Sequence, residues 1–205
     1  METKPHWEKI YHTKAPDQVS WYQVCPELSL KLIQQTGVNS SASIIDVGGG
    51  ASTLVDFLLQ NGFANLTVLD LSATALETSK RRLGDQAHQV TWIEADITQA
   101  HLPPHGYDVW HDRAVFHFLT QVEDRHRYIE QVKQSVKPDG FVIVATFGPE
   151  GPLRCSGLEI VRYSPDALHS EFGADFQLLE SRQETHQTPF GSEQQFIYCF
   201  CRRTR

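Results

Sequence analysis

Asp46-Val47-Gly48-Gly49-Gly50-Ala51-Ser52 follows the apolar pair Ile44-Ile45 and runs into Thr53-Leu54-Val55-Asp56-Phe57-Leu58-Leu59. That order predicts a strand, a glycine turn and a helix. Glycines belong where the backbone bends sharply and a ligand lies directly against it. A helix N-terminus beside the turn offers unpaired N–H groups. Asp46, at the end of the strand, would repel a pyrophosphate and attract an amino group or another cation. The stretch therefore points to a nucleoside with a positive end, and away from a dinucleotide.

Strand-like runs recur on either side of helical patterns downstream, at Ser43–Val47, Leu66–Asp70, Val90–Glu94, Tyr107–His111 and Gly140–Phe147. Leu54, Val55, Leu58 and Leu59 share one helical face. Ser72 is placed to cap a helix over Ala73–Leu83, and Gly84 to stop it. Val122, Ile129, Val132 and Val136 make a further apolar stripe before Lys137-Pro138-Asp139-Gly140. This alternation predicts an α/β fold, a parallel sheet with helices on both faces. The ending departs from it. A helix over Ser164–Phe172 is followed by two strand patterns, Phe176–Thr185 and Gln194–Arg202, with only a loop between them. If they pair directly they run antiparallel. The second is apolar on both faces and so is expected to be buried. Before residue 43 the chain has no strand pattern; it holds Trp7, Tyr11, Trp21 and Tyr22 and one helix over Pro26–Gln35.

At 205 residues one domain is the expectation. Within it, residues 1–42 form a helical or lid segment, 43–147 a ligand-binding core, and 148–205 a substrate-side loop and final hairpin. The formal charge of −7 argues against a nucleic-acid partner, which needs a concentrated basic footprint. Arg202-Arg203-Thr204-Arg205 reads as a solvated end. Cys25, Cys155, Cys199 and Cys201 form no Cys-x-x-Cys pair, so reduced thiols and a cytoplasmic location are expected. Cys199 and Cys201 fall on one face of a strand as small core residues. The first residues lack an apolar signal core, and no run approaches the ~20 apolar residues of a membrane span. The ten histidines are scattered without paired helical spacing beside acids, so no metal site is expected.

The ends of the later strands supply the other candidates. Asp70 closes the second strand, twenty residues after Gly50, where a carboxylate accepts hydrogen bonds from ribose hydroxyls or caps the next helix. Asp96 follows the third strand and either accepts from the exocyclic amine of an adenine or caps its own turn. Leu71 and Ile97 could sandwich the base. Asp112 and Arg113 follow the fourth strand, on the rim where open α/β sheets bind ligands, and are candidates to face the reactive end of the cofactor. Arg113 either binds an acidic substrate group or pairs with a local acid. His117 is a candidate base for the acceptor or a satisfied buried side chain. Glu150, in Gly148-Pro149-Glu150-Gly151-Pro152, is a second candidate base, and with Cys155 it either lines the substrate mouth or sits in a plain turn. Tyr11, Trp21 and Tyr22 are candidates for a lid over the ligand.

Taken in order, Asp46–Ser52 with Gly48, Gly49 and Gly50, the acid in Val68-Leu69-Asp70-Leu71-Ser72, Asp96, and Lys137-Pro138-Asp139-Gly140 resemble the signatures of class I S-adenosylmethionine-dependent methyltransferases. The resemblance spans about Ile44 to Ala145 and implies a Rossmann-like seven-stranded sheet of order 3-2-1-4-5-7-6 with strand 7 antiparallel. It also implies S-adenosylmethionine as cofactor and transfer of its methyl group to an acceptor, here most readily a small molecule. Trp7-Glu8-x-x-Tyr11 with Ser20-Trp21-Tyr22-Gln23 is similar to a small group of that class and to some protein lysine methyltransferases, which keeps a protein acceptor open. The sequence after the fourth strand, Asp112-Arg113-Ala114-Val115-Phe116-His117, differs from those enzymes, and no Asn-Pro-Pro-Tyr motif of nucleic-acid amino methyltransferases is present. Ala51-Ser52 replaces the family's usual third glycine with small residues that keep the turn. Two rival readings remain: a cofactor-binding protein without catalysis, and a nicotinamide-dependent oxidoreductase. The latter would need G-x-G-x-x-G, where this chain has Thr53 three places after Gly50.

Overall fold

A computed structural model describes residues 3–204; Met1, Glu2 and the Arg205 of the basic end lie outside the described residues. The parallel strands are β1 (Ser43–Val47), β2 (Asn65–Asp70), β3 (Val90–Glu94), β4 (Tyr107–Arg113) and β5 (Val136–Phe147). β6 (Arg154–Cys155) and β7 (Leu158–Glu159) make a short separate hairpin. β8 (Phe176–Gln187) and β9 (Glu193–Arg203) close the chain. The sheet order is β3-β2-β1-β4-β5-β9-β8. β9 runs antiparallel to β5, and β8 antiparallel to β9. With the small hairpin set aside, this is the 3-2-1-4-5-7-6 order with a reversed seventh strand.

Each face of the sheet carries its own core. On one, α5 (Val122–Ser135) and α6 (Pro165–Phe172) cover Ile45, Val47, Trp110, Val142 and Val144. On the other, α2 (Glu27–Gln35), α3 (Leu54–Gln60) and α4 (Ala73–Leu83) cover Ile44, Val68, Val109 and Ile143. β9 faces both, sending Ile197, Cys199 and Cys201 into the first core and Phe196, Tyr198 and Phe200 into the second. That is the two-sided apolar pattern its sequence predicted. The Cys199 and Cys201 thiols stand 3.3 Å apart on one face, as alternate residues of a strand must.

The helix ends follow local chemistry. Ser72 Oγ accepts from the Ala75 N–H at 3.1 Å and caps α4, which stops at Gly84 with φ +56°. Two readings are corrected. The stripe drawn through Val122 and Val136 is not the buried face of α5. Val122 is largely exposed, and Val136 already belongs to β5. The buried face is Asp124, Tyr128, Ile129, Val132 and Ser135, at helical spacing. Second, Lys137-Pro138-Asp139-Gly140 lies inside β5 rather than before it. Its register against β4 shifts between Tyr107 and Val109, and Asp139 takes φ +63°, so the proline falls in an irregular stretch where no regular ladder bond is lost.

The first forty residues hold an additional helix, α1 (Thr3–Thr13). His6, Trp7, Glu8, Ile10 and Tyr11 are its partly buried positions, a mixed polar and aromatic stripe rather than an aliphatic one. α1 lies against α4, over the carboxyl ends of the parallel strands.

Candidate cofactor site

At the end of β1 the chain turns at Gly48, whose φ is +72° and whose N–H donates to the Leu69 carbonyl at 2.7 Å. A Cβ there would collide with the Val115 side chain, so both the conformation and the space call for glycine. Two residues on, the Gly50 N–H donates to Asp70 Oδ2 at 3.0 Å, and the Gly50 carbonyl accepts from Ser79 Oγ at 2.5 Å. A Cβ on Gly50 would run into the Asp70 carboxylate and Ala75. The bend is thus bonded to the end of β2 and the first turns of α4.

Beside the bend opens a cavity of about 130 Å³. Gly48, Asp70, Leu71, Asp96 and Ile97 form its floor and one side. Trp7, Tyr11 and Trp21 roof it, with Phe118, Arg113 and Cys155 completing the wall. A smaller cavity adjoins it on the other side of the bend. Asp46, Gly49, Tyr22 and His111 line that one, and Gly48, Tyr11, Trp21 and Arg113 are shared by both.

Asp70 is buried. Its Oδ1 accepts from the Ser72 N–H at 2.8 Å while Oδ2 holds Gly50. Burial pushes its pKa up to about 6 against the pull of those two N–H donors, with the Asp46 charge adding to the rise. Asp96 Oδ1 accepts from the Thr98 N–H at 2.9 Å and Thr98 Oγ1 at 2.7 Å, which is the turn-capping arrangement, yet the side chain stands on the cavity wall. Asp46 pairs through Oδ1 with His111 Nδ1 at 2.7 Å, and its Oδ2 has no hydrogen-bond partner among the described residues.

Three sequence candidates are placed elsewhere. Asp112 is fully buried, and its carboxylate accepts from the N–H groups of Val115 and Phe116 at 2.8 and 3.0 Å and from the Tyr128 hydroxyl at 2.7 Å. Burial lifts its pKa to about 6 despite those donors. It caps the turn after β4 from inside the core and lines neither cavity. His117 is also fully buried, its ring packed between Phe118 and Phe147, with Nδ1 accepting from the Phe147 N–H at 3.3 Å. Burial lowers its pKa to about 3, so it is a neutral core side chain rather than a base facing an acceptor. Glu150 is exposed on its loop, which is held by its own N–H donating to Gln195 Oε1 at 2.9 Å.

Arg113 takes the pairing option, with an acid that sequence proximity could not reveal. Nη2 lies 3.4 Å from Glu184 Oε2 on β8, Nε donates to the Tyr198 hydroxyl at 3.0 Å, and Nη1 donates to the Trp21 carbonyl at 3.0 Å. The guanidinium also lies 4.1 Å from the centre of the Phe196 ring. Gln23 Nε2 donates to Glu184 Oε1 at 3.0 Å, and the Ser20 carbonyl accepts from His186 Nε2 at 2.8 Å. Ser20-Trp21-Tyr22-Gln23 is thereby tied to the last hairpin. At the other edge of the roof, Glu8 accepts from the N–H groups of Ala73 and Thr74 at 2.7 and 3.3 Å and from the Thr74 hydroxyl, and Lys4 pairs with Glu94. Phe118, read from the sequence as a candidate to meet the substrate, stands on the cavity wall; Trp7, set aside there as a packing residue, lines it too, and Glu8 is not a sequence candidate at all. The i, i+4 spacing of Trp7 and Tyr11 was the available signal, since it puts both rings on one face of a helix.

Residues 45–142 match the family model of a methyltransferase domain. The chain carries a class I S-adenosylmethionine-dependent methyltransferase domain. Over 123 residues, 57% of the chain, it is 26% identical to EEF1A lysine methyltransferase 2 of Danio rerio, and the match spans 53% of that relative, about half its length. Among solved structures, a protein from work on the conversion of a disulfide bond into a thioacetal group during echinomycin biosynthesis superposes with a TM-score of 0.80 at 15% identity, covering 98% of this chain and 92% of that one. The 1,6-didemethyltoxoflavin-N1-methyltransferase of Burkholderia thailandensis, with 1,6-didemethyltoxoflavin and S-adenosylhomocysteine bound, superposes with a TM-score of 0.72 at 16% identity, covering 99% and 88%. These likenesses show the fold. Among the described residues no helix is long and apolar enough to cross a membrane.

The residues of this methyltransferase domain fit S-adenosylmethionine. The glycines leave open the space beside the bend that a side chain would fill, and the unpartnered buried oxygen of Asp46 calls for a donor. Asp70 and Asp96 would hold the ribose and adenine, with Leu71 and Ile97 against the base, and Asp46 the amino end.

Proposed function

We propose that this chain methylates a small uncharged acceptor that enters the aromatic side of the main cavity. The observation that carries this reading is the charge on the cavity wall. Its charged side chains are Asp70 and Asp96, assigned to the nucleoside, and Arg113, already neutralised by Glu184. A lysine ammonium would find no free carboxylate among the remaining wall residues. An aromatic or aliphatic acceptor would meet Trp7, Tyr11, Trp21, Phe118 and Cys155.

The sulfonium, when bound, supplies an electrophilic methyl carbon. The chain's own contribution is then orientation: a nucleophile held in line at about 3–3.5 Å gains most of the rate available from positioning. The roof of Trp7, Tyr11 and Trp21 excludes water. Cys155 is no base, because burial pushes its thiol up to about 12. With His117 turned into the core, this reading favours an acceptor atom that attacks as a neutral lone pair.

The name of the zebrafish relative favours a second reading, methylation of a lysine on a protein. A third is cofactor binding without transfer. Incubation of the purified chain with methyl-labelled S-adenosylmethionine and a cell extract, followed by separation of small molecules from protein, tests all three. Label in the small-molecule fraction is the expected result. Label in protein supports the lysine reading instead, and cofactor binding without transferred label leaves the non-catalytic one.

A further inference from the structure

We propose that His111 and Ser29 are positioning residues for the amino end of the cofactor, acting through Asp46. The proposal rests on the reading that S-adenosylmethionine binds over the glycine bend. Asp46 and His111 are register partners on the neighbouring parallel strands β1 and β4, so their side chains leave the sheet on the same face. Both are buried, Asp46 at 4% and His111 at 3% exposure. A carboxylate can only accept, so His111 Nδ1 carries the hydrogen it shares with Asp46 Oδ1. His111 Nε2 lies 2.8 Å from Ser29 Oγ, a fully buried hydroxyl on α2. Ser29 thus holds the far side of the ring and keeps Nδ1 turned toward Asp46.

Three residues thus form a chain, Ser29 to His111 to Asp46, that ends on an oxygen with no partner among the described residues. That oxygen, Asp46 Oδ2, stands against Gly49 in the smaller cavity. Burying an acceptor without a donor is unfavourable, and an α-ammonium is the donor that would relieve it. The directional Nδ1–H of His111 fixes the rotamer of the Asp46 carboxylate from behind. The inference concerns the amino-acid tail alone, since Asp70 and Asp96 lie on the other cavity.

Two ligands separate the parts. S-adenosylhomocysteine carries the amino-acid tail, and 5′-methylthioadenosine has the nucleoside without it. Titration calorimetry on the whole chain should show H111F weakening S-adenosylhomocysteine about tenfold or more, with 5′-methylthioadenosine changed less than about twofold. H111N should recover most of the loss, because its amide N–H can take the place of Nδ1–H, and S29A should lose about threefold for the tailed ligand only. If H111F does not fold, the S29A and H111N ratios carry the test. Equal loss for both ligands would make His111 a fold residue, and no loss for either would dismiss it; both results overturn the proposal. A wild-type chain that binds neither ligand removes the methyltransferase reading itself, and a wild-type chain that binds both equally removes tail recognition alone.

Discussion

Asp70 and Gly50 share a hydrogen bond of 3.0 Å across twenty residues of sequence, from the N–H in the middle of the glycine bend to the carboxylate that ends β2. The bend after β1 and the acid after β2 are therefore one object. Asp70 holds the loop in shape while standing on the wall of the main cavity.

Asp70→Ala should accordingly cost twice. Cofactor affinity is expected to fall about 10- to 100-fold, as for loss of hydrogen bonds to a charged group. Stability is expected to fall by about 1–3 kcal/mol, because the Gly50 and Ser72 N–H groups lose their acceptor. The pH dependence has a definite sign. With the carboxyl raised to about 6 in the folded chain, its protonated form favours folding, so this group's stability contribution is full below the unfolded value of about 4 and is lost as pH rises through about 6. Ligand hydroxyls donate to the ionised form, so affinity for S-adenosylhomocysteine should rise from pH 5 to 7 and then level. Calorimetry across that range checks it, with Asp70→Asn giving a flat, weaker profile; affinity that falls toward pH 7 would contradict the assignment.

Glu184 faces a buried guanidinium, with Arg113 only 9% and Glu184 16% exposed at the side chain. Glu184→Ala leaves that charge unpaired and removes the partners of Tyr198 and Gln23. A loss of about 3–5 kcal/mol in urea unfolding is expected. Glu184→Gln keeps most acceptors and should lose clearly less.

Glu8 crosses from α1 to the first turn of α4. Burial alone would raise its pKa, but the donors of Thr74 and Ala73 outweigh that and hold it below its ordinary value. Glu8→Ala removes a helix cap supplied from outside the helix, a loss of about 1 kcal/mol or about 2–4 °C in Tm. The same change should speed S-adenosylhomocysteine dissociation in stopped-flow displacement, because Trp7 and Tyr11 ride on the released helix. An unchanged dissociation rate would mean that α1 does not act as a lid.

Gly48→Ala meets two penalties, φ +72° and the Val115 side chain. Affinity and Tm should both drop, and adding Val115→Ala should restore only the part due to the collision. Full recovery in the double variant, read by thermal melts with and without ligand, would show that the backbone conformation is tolerable for alanine.

The sequence by itself determined what is local. The strand–glycine–helix order at Ile44–Leu59, the Ser72 cap with the Gly84 stop, and the two-sided apolar run of β9 follow from steric limits on φ, short side-chain acceptors and the two-residue period of a strand. The carboxylates at 46, 70 and 96 were legible as strand-end acids for the same reason. The order of the sheet and its reversed seventh strand follow from the resemblance to class I S-adenosylmethionine-dependent methyltransferases, not from periodicity. Only the tertiary structure decided partners and burial. His117 and Asp112 look alike as rim candidates in the chain, yet both are buried, Asp112 near the end of β4 and His117 in the turn at Phe116–Phe118. Arg113 finds its acid 71 residues away, and His111 meets Asp46 from 65 residues away and Ser29 from 82. Periodicity says which face a side chain leaves from, but strand register and helix packing set what waits on that face, and those are properties of the assembled sheet.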